Sequence, residues 1–270
     1  MSFHLMAYQD DLALNTLTDL NAVVDTVFND RNNEFLFEDE WNLLAAYYLS
    51  ANALRVRSNW PRLNHYNRHH VFGINRSATN PSPLNIADYR DSPVLLPKNQ
   101  QIGWQAFNDG PAMGTENSKL VMIISDSNWS RQLPTGLQQL TVRATASAAG
   151  TANAWGADAA ITMADQDLES GVYSVIGCQV FDAGSIAYRF VANKPPIVQG
   201  FPLRPGGLCL EAIANIPVEM FSGGLGEWFR FHTFTLPRIQ IFANATAAST
   251  QEIRLQLAYL GEDQSLLMMR

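Results

Sequence analysis

The sequence predicts an all-β protein, a sandwich of short strands preceded by a helical segment. Three observations carry this. The second half of the chain holds eight short apolar runs separated by Gly, Pro, Asn or Asp. The first 50 residues space their apolar positions by three and four. Segment 168–193, "LESGVYSVIGCQVFDAGSIAYRFVAN", is sheet-forming sequence with apolar residues on both alternating sets.

From the N-terminus, Leu17, Leu20, Val24, Val27 and Phe28 make one stripe and predict a helix over 12–28. "NDRNNE" breaks it. A second helix is expected from Glu38 to about Asn52, with Trp41, Leu44, Tyr48 and Ala51 on one face and Ala45 beside them. Glu38, Asp39 and Glu40 would suit the positive end of its dipole. After Ala53 the pattern becomes alternation. "LRVRSNW" sets Leu54 and Val56 against Arg55 and Arg57, and further strands are expected in 69–75, 92–97, 101–107 and 119–125. A polar, proline-rich loop, "NRSATNPSPLNIADYRDSP", runs between them; loops of that length serve function or assembly.

Strands are then expected at 138–147, 159–163, 171–180, 185–192, 207–215, 227–234, 238–243 and 251–260. Eight strands without a helix fit two antiparallel four-stranded sheets. The expected organisation is a helical arm over 1–52, two related β-modules over 53–135 and 136–262, and a tail over 263–270. No strict short-period repeat is present.

Composition narrows the function. Charged residues are 16% of the 270, against roughly 25% in ordinary soluble chains. A chain so poor in charge is expected to cover part of its surface with other protein. The net charge of −7 argues against coating nucleic acid, although Arg55, Arg57, Arg62, Arg68 and Arg76 cluster in one segment. Cys178 and Cys209 read as small buried hydrophobes. The start "MSFHLMAYQDDLALN" has no basic, apolar leader, and no run of 18 apolar residues occurs. Synthesis in a reducing cytoplasm is therefore expected, with neither signal peptide nor membrane helix.

The search for chemistry yields no catalytic, cofactor or metal residue. "HYNRHH" offers His65 and His69 at a zinc-like spacing, but in a loop or strand and without a third ligand. His232 shares the face of Trp228 and Arg230. Asp165, Asp167 and Glu169 lack the glycine and distal glutamate of a calcium loop. "RPGGLCL" and "SGGLGEW" read as turns rather than phosphate loops, and three glycosylation-type sequons stand without a secretory leader. The aromatics are the remaining asset. Trp155, Tyr173, Trp228 and Phe229 are the candidate interface residues, with one of Trp228 and Phe229 turned to the core and the other outward. Exposed aromatics on a sandwich also serve carbohydrate-binding modules, the competing class.

The succession "NAWGADAAITM", "LESGVYSVIGCQVFDAGSIAYRFV", "RPGGLCLEAIAN", "GGLGEWFRFHTFTLPRIQIFA" and "IRLQLAYL" resembles the last β-barrel of jelly-roll capsid proteins. In length and organisation the chain resembles the double jelly-roll major capsid proteins of small tailless icosahedral bacteriophages of the corticovirus kind. About five strands are expected over 53–135, so the first roll would be abbreviated. The resemblance implies a homotrimer that tiles an icosahedral shell in the virion, made in the host cytoplasm. Its partners would be copies of itself, other virion proteins or an internal membrane, with no direct nucleic-acid binding and no cofactor.

Overall fold

The structure is a computed structural model and describes residues 3–23, 29–31, 34–50, 55–59, 74–75, 87–89, 92–108, 116–126, 136–164, 168–182, 184–191, 206–210, 227–243 and 247–267. It is all-β. Among the described residues there is no α-helix, and a 310 turn at Gln264–Leu267 is the last element. The chain divides into an N-terminal unit, Leu5–Ile124, and a C-terminal unit, Ser125–Arg270 with Met1–His4.

The N-terminal unit's strands are β1 (Phe3–Leu12), β2 (Leu17–Ala22), β3 (Asn29–Arg31), β4 (Glu34–Phe37), β5 (Trp41–Leu49), β6 (Arg55–Ser58), β7 (Ile74–Asn75), β8 (Ala87–Asp88), β9 (Val94–Leu96), β10 (Gln100–Ile102), β11 (Trp104–Phe107) and β12 (Glu116–Asp126). One sheet runs β6-β11-β2-β1-β12-β5-β7, with β8 and β9 also on β5; β10, β4 and β3 form a second, small sheet. The buried cluster between them includes Tyr8, Leu20, Phe35, Tyr48, Trp104 and Met122. Tyr8 packs edge-on against Phe35 at 5.1 Å and donates its hydroxyl to the Ile102 carbonyl at 2.6 Å. That bond makes burial of a phenol affordable.

The two expected helices are thus corrected to strands. Residues 12–28 contain β2, where Leu20 and Ala22 are buried with a half-buried residue between; 24–28 lie outside the described residues. The second expected helix contains β5, and Leu43 to Leu49 are all buried. A strand buried on both faces loses its two-residue alternation, and its apolar run then also satisfies a helical template. Tyr47, Tyr48 and Trp41 were the strand-type signal in that run. The segment 1–52 is accordingly no helical arm: β1, β2 and β5 lie in the same sheet as β6, β11 and β12.

The C-terminal unit holds β13 (Gln139–Ala146), β14 (Ala149–Ala152), β15 (Ala159–Met163), β16 (Val172–Phe181), β17 (Ser185–Val191), β18 (Gly206–Leu210), β19 (Phe229–His232), β20 (Arg238–Ala243), β21 (Ala247–Ala248) and β22 (Gln251–Gly261). Each of the eight expected strand segments overlaps one of these, and residues 211–215 of the fifth lie outside the described residues. Antiparallel pairing links β13 to β22, β22 to β16 and β16 to β19 in one curled half. It links β15 to β20, β20 to β17 and β17 to β18 in the other. The halves join at two corners, β13 with β15 antiparallel and β16 with β18 parallel. Their inner faces meet: Phe190 of β17 lies 5.4 Å from Phe229 of β19. β13 shows the alternation this requires, with Val142, Ala144 and Ala146 buried and Thr141 and Arg143 exposed.

The N-terminal unit repeats this pairing order. β1 pairs with β12, β12 with β5, and the start of β5 with β9. β2 pairs with β11 and β11 with β6, while β1 and β2 meet antiparallel. The end of β5 takes β7 in parallel, as the end of β16 takes β18.

Candidate functional site

The expected interface aromatics are engaged within the single chain. Tyr173 is 2% exposed, stacks on Phe231 at 5.9 Å and meets Tyr259 at 5.1 Å. Burial, with Glu169 nearby, pushes its phenol pKa up. Trp228 is 3% exposed, and its backbone N–H donates to the Val175 carbonyl at 2.8 Å. Phe229 is half-buried and points between the halves toward Phe190. These three gather where β19 meets β16. Trp155 stands elsewhere, 5.5 Å from Phe242, with the Arg189 guanidinium 3.9 Å over its ring.

The two apolar faces of segment 168–193 have a local cause. Between Val175 and Gly177 the register of β16 on β22 shifts, so Ile176 is an extra residue. A bulge inverts the alternation beyond it. Tyr173 and Val175 before it, and Cys178 and Val180 after it, therefore share the inward row opposite Tyr259, Leu257, Leu255 and Ile253. The outward Ser174 and Gln179 are also buried, and the 310 turn at Gln264–Leu267 lies against β16 and β19. The outer face expected to await a partner is covered by the chain itself.

Among the described residues, no group of three or more His, Cys, Asp or Glu side chains is placed to hold a metal ion. His65, His69, Arg62, Arg68, Arg76, Asp165 and Asp167 lie outside the described residues. Arg57 donates from Nε to Gln105 Oε1 at 2.7 Å. Cys178 and Cys209 are free and buried, and burial drives both thiols far up, away from the reactive thiolate. No helix among the described residues is long and apolar enough to cross a membrane.

Sequence reasoning missed what the surface offers instead. Phe234, on the β19–β20 turn, is 78% exposed. It stacks on His232 at 4.6 Å, and its N–H donates to His232 Nδ1 at 3.1 Å. Thr235 N–H donates to the His232 carbonyl, and Thr233 N–H to that of Gly171, so the turn is fixed from both sides. Leu14 and Leu17 flank the β1–β2 turn at 38% and 36% exposure. A polar groove of about 440 Å³ opens at the β13–β15 corner, lined by Thr145, Ser147, Asp158, Thr162 and Arg238 with three alanines. Leu17 was expected on the apolar stripe of a helix, and nothing local marked the turn at Phe234 as rigid.

No family model matches the chain, and no curated protein matches it. Among solved structures, the crystal structure of the major capsid protein P2 from bacteriophage PM2 is similar over 93% of this chain and 97% of its own, at 11% identity and a TM-score of 0.21. Backbones superpose poorly at that score, and the pairing order within this chain is the firmer description of its fold.

Proposed function

We propose that the chain is a virion structural protein: a capsid subunit of two jelly rolls that assembles with its own copies, as trimers, into an icosahedral shell. A jelly roll letters its eight strands B to I and pairs them B-I-D-G and C-H-E-F in two Greek keys. The C-terminal unit supports this reading strand for strand, with β13-β22-β16-β19 as one half and β15-β20-β17-β18 as the other. In the N-terminal unit, β1, β12, β5 and β9 take the B, I, D and G places; β2, β11 and β6 take C, H and E; β7 takes F by its parallel pairing to β5. The three strands that seemed to be lacking are β1, β2 and β5.

The single observation that carries the function is this repetition of one roll order in both units, the layout of the resembled capsid family. The trimer, the virion location and any membrane or other virion partner come from that resemblance alone. Tyr173, Phe229 and Trp228 serve this reading by stiffening the end of the barrel behind the β19–β20 turn, and Phe234 is the contact. A rigid, exposed aromatic binds with little ordering cost and is typical of interface centres.

Light scattering at micromolar concentration, with electron microscopy of the same sample, tests the proposal. A mass of about three 30.0 kDa chains, or a shell, is expected. Phe234→Asp should weaken association about tenfold or more while leaving the circular dichroism unchanged. A 30.0 kDa monomer retained on a sugar column would replace the shell reading with a lectin-like one.

A further inference from the structure

We infer that the β19–β20 turn is a pH-gated contact: neutral His232 holds Phe234 in its projecting place, and protonation of His232 releases it. The effect on association rests on the self-assembly reading; the inference adds to that reading the group that regulates the contact.

Phe234 has the exposure of a contact and the restraints of a core residue. Its ring is 78% exposed and stacks on the His232 ring at 4.6 Å, with 27° between the planes. Four hydrogen bonds hold the turn. Thr233 N–H donates to the Gly171 carbonyl at 3.0 Å, and Gly171 N–H to Thr233 Oγ1 at 3.1 Å. Thr235 N–H donates to the His232 carbonyl at 2.8 Å. Phe234 N–H donates to His232 Nδ1 at 3.1 Å. The first three join groups that do not titrate. The fourth dictates a protonation state. A backbone N–H can only donate, so Nδ1 offers its lone pair and the imidazole is the neutral tautomer with its proton on Nε2. A side-chain acceptor for the N–H two residues on is the arrangement Asn or Asp builds in an Asx turn. Histidine in that place makes the bond depend on a proton.

A protonated imidazole donates from both nitrogens. Nδ1–H would then face the Phe234 N–H, two donors with no acceptor between them, so the ring turns away or the turn opens. Attraction between the imidazolium and the Phe234 ring face offsets part of that loss but gives the N–H no acceptor. The other charged and titratable groups on the elements around His232 are engaged or exposed. On its own strand, Arg230 is held by Glu227 at 2.7 and 2.8 Å. β16 sets Val172 opposite His232; the Tyr173 hydroxyl donates to the Glu169 carbonyl, and the Glu169 side chain is exposed. The Tyr259 hydroxyl of β22 donates to the Ser170 carbonyl. The 310 turn also packs on β19; Glu262 and Asp263 ahead of it are exposed, and Asp263 accepts the Ser265 N–H at 2.8 Å. Arg238 of β20 holds the Asp158 carbonyl. A contact that must be ordered on binding is weaker than one already ordered, so acid weakens association through this turn. Protonating carboxylates on a chain of net charge −7 acts in the opposite direction, by relieving repulsion between copies.

Analytical ultracentrifugation of the full chain at about pH 7.5 and about pH 5.0 spans the range in which imidazoles change charge. Wild-type association should be about threefold to tenfold weaker in acid. His232→Asn keeps an acceptor for the Phe234 N–H but cannot titrate, and should bring association at the two pH values to within about twofold. His232→Phe keeps a ring but no acceptor; it should also lose the pH dependence and associate more weakly than the Asn variant at neutral pH. Wild-type association that is constant or tightens in acid, or an Asn variant that keeps the wild-type dependence, overturns the inference and leaves the capsid reading standing. If the wild-type chain stays monomeric throughout, the capsid reading falls, and hydrogen exchange of residues 229–238 still tests the switch. That segment should exchange about threefold or more faster in wild type than in His232→Asn in acid, with the excess lost at neutral pH. Equal rates in the two proteins at both pH values overturn it.

Discussion

Gln251 is fully buried and ties three turns of the C-terminal unit together. Its Oε1 accepts the Ala148 N–H at 2.8 Å, and its Nε2 faces the Ala148 carbonyl at 3.1 Å and Asp182 Oδ2 at 2.8 Å. The same carboxylate oxygen accepts from Ser185 at 2.6 Å and Ser249 at 2.8 Å. Gln251→Leu keeps the volume but strips partners from buried backbone and carboxylate groups, so a loss of about 3 kcal/mol is expected in urea unfolding. Lys119 is a buried charged side chain. It is fully buried, and desolvation, partly opposed by Asp11, pulls its pKa from 10.5 down to about 8. Between those values the unfolded chain holds the proton that the folded chain has released, so stability rises with pH through that window. Lys119→Met removes the penalty. Its stability advantage over wild type should be largest near pH 7 and should shrink as pH climbs past 8; an advantage constant from pH 7 to 9.5 would show that the lysine is not desolvated.

At the scale of elements, legibility followed burial geometry. β15 matches its expected limits because Ala160 and Thr162 keep one face wet, whereas β20, buried from Ile239 to Ala243, matches because Pro237 and Asn244 bound it in the sequence. β5 was read as helix because both of its faces are dry, and β16 seemed two-faced because Ile176 shifts its phase. No single-sequence periodicity separates these cases, since the cause lies in what the strand pairs with. For the candidate site, Phe234 fell at the end of the strand expected over 227–234, whereas the bond from Thr233 to Gly171 that fixes its turn needed the long-range pairing. Gly156 gives the element scale its test. An added Cβ would stand 2.1 Å from the Ala149 carbonyl oxygen, part of the backbone of β14. Gly156→Ala should cost about 2–3 kcal/mol. Gly184→Ala, with nothing near its Cβ position, should stay within about 0.5 kcal/mol of wild type in the same thermal or urea titration.

Across the whole molecule, the low charge and the apolar runs go largely into internal burial. Tyr47, Tyr48 and Tyr188 are among the largest fully buried side chains, and β16 is buried along nearly its full length. Among the described residues few large apolar side chains are left exposed, and Phe234 is the most exposed of them. Circular dichroism should show a strand-dominated spectrum with little helix, and truncation should be severe in one place. Removing residues 251–270 deletes β22, which lies between β13 and β16, so cooperative unfolding of the C-terminal unit should disappear while the N-terminal unit keeps its own transition.

The position of β22 also sets a timetable for synthesis. β13 leaves the ribosome more than 100 residues before Gln251–Gly261, the segment that pairs with it, and β16 waits for the same strand. Until that segment emerges, two apolar strands have open edges in a crowded cell. The N-terminal unit meets the same delay sooner, because its equivalent central strand β12 ends at Asp126. A nascent chain halted near residue 250 should therefore carry one finished unit and one sticky one. It should need a chaperone that shields strand edges, and release of the last twenty residues should end that need.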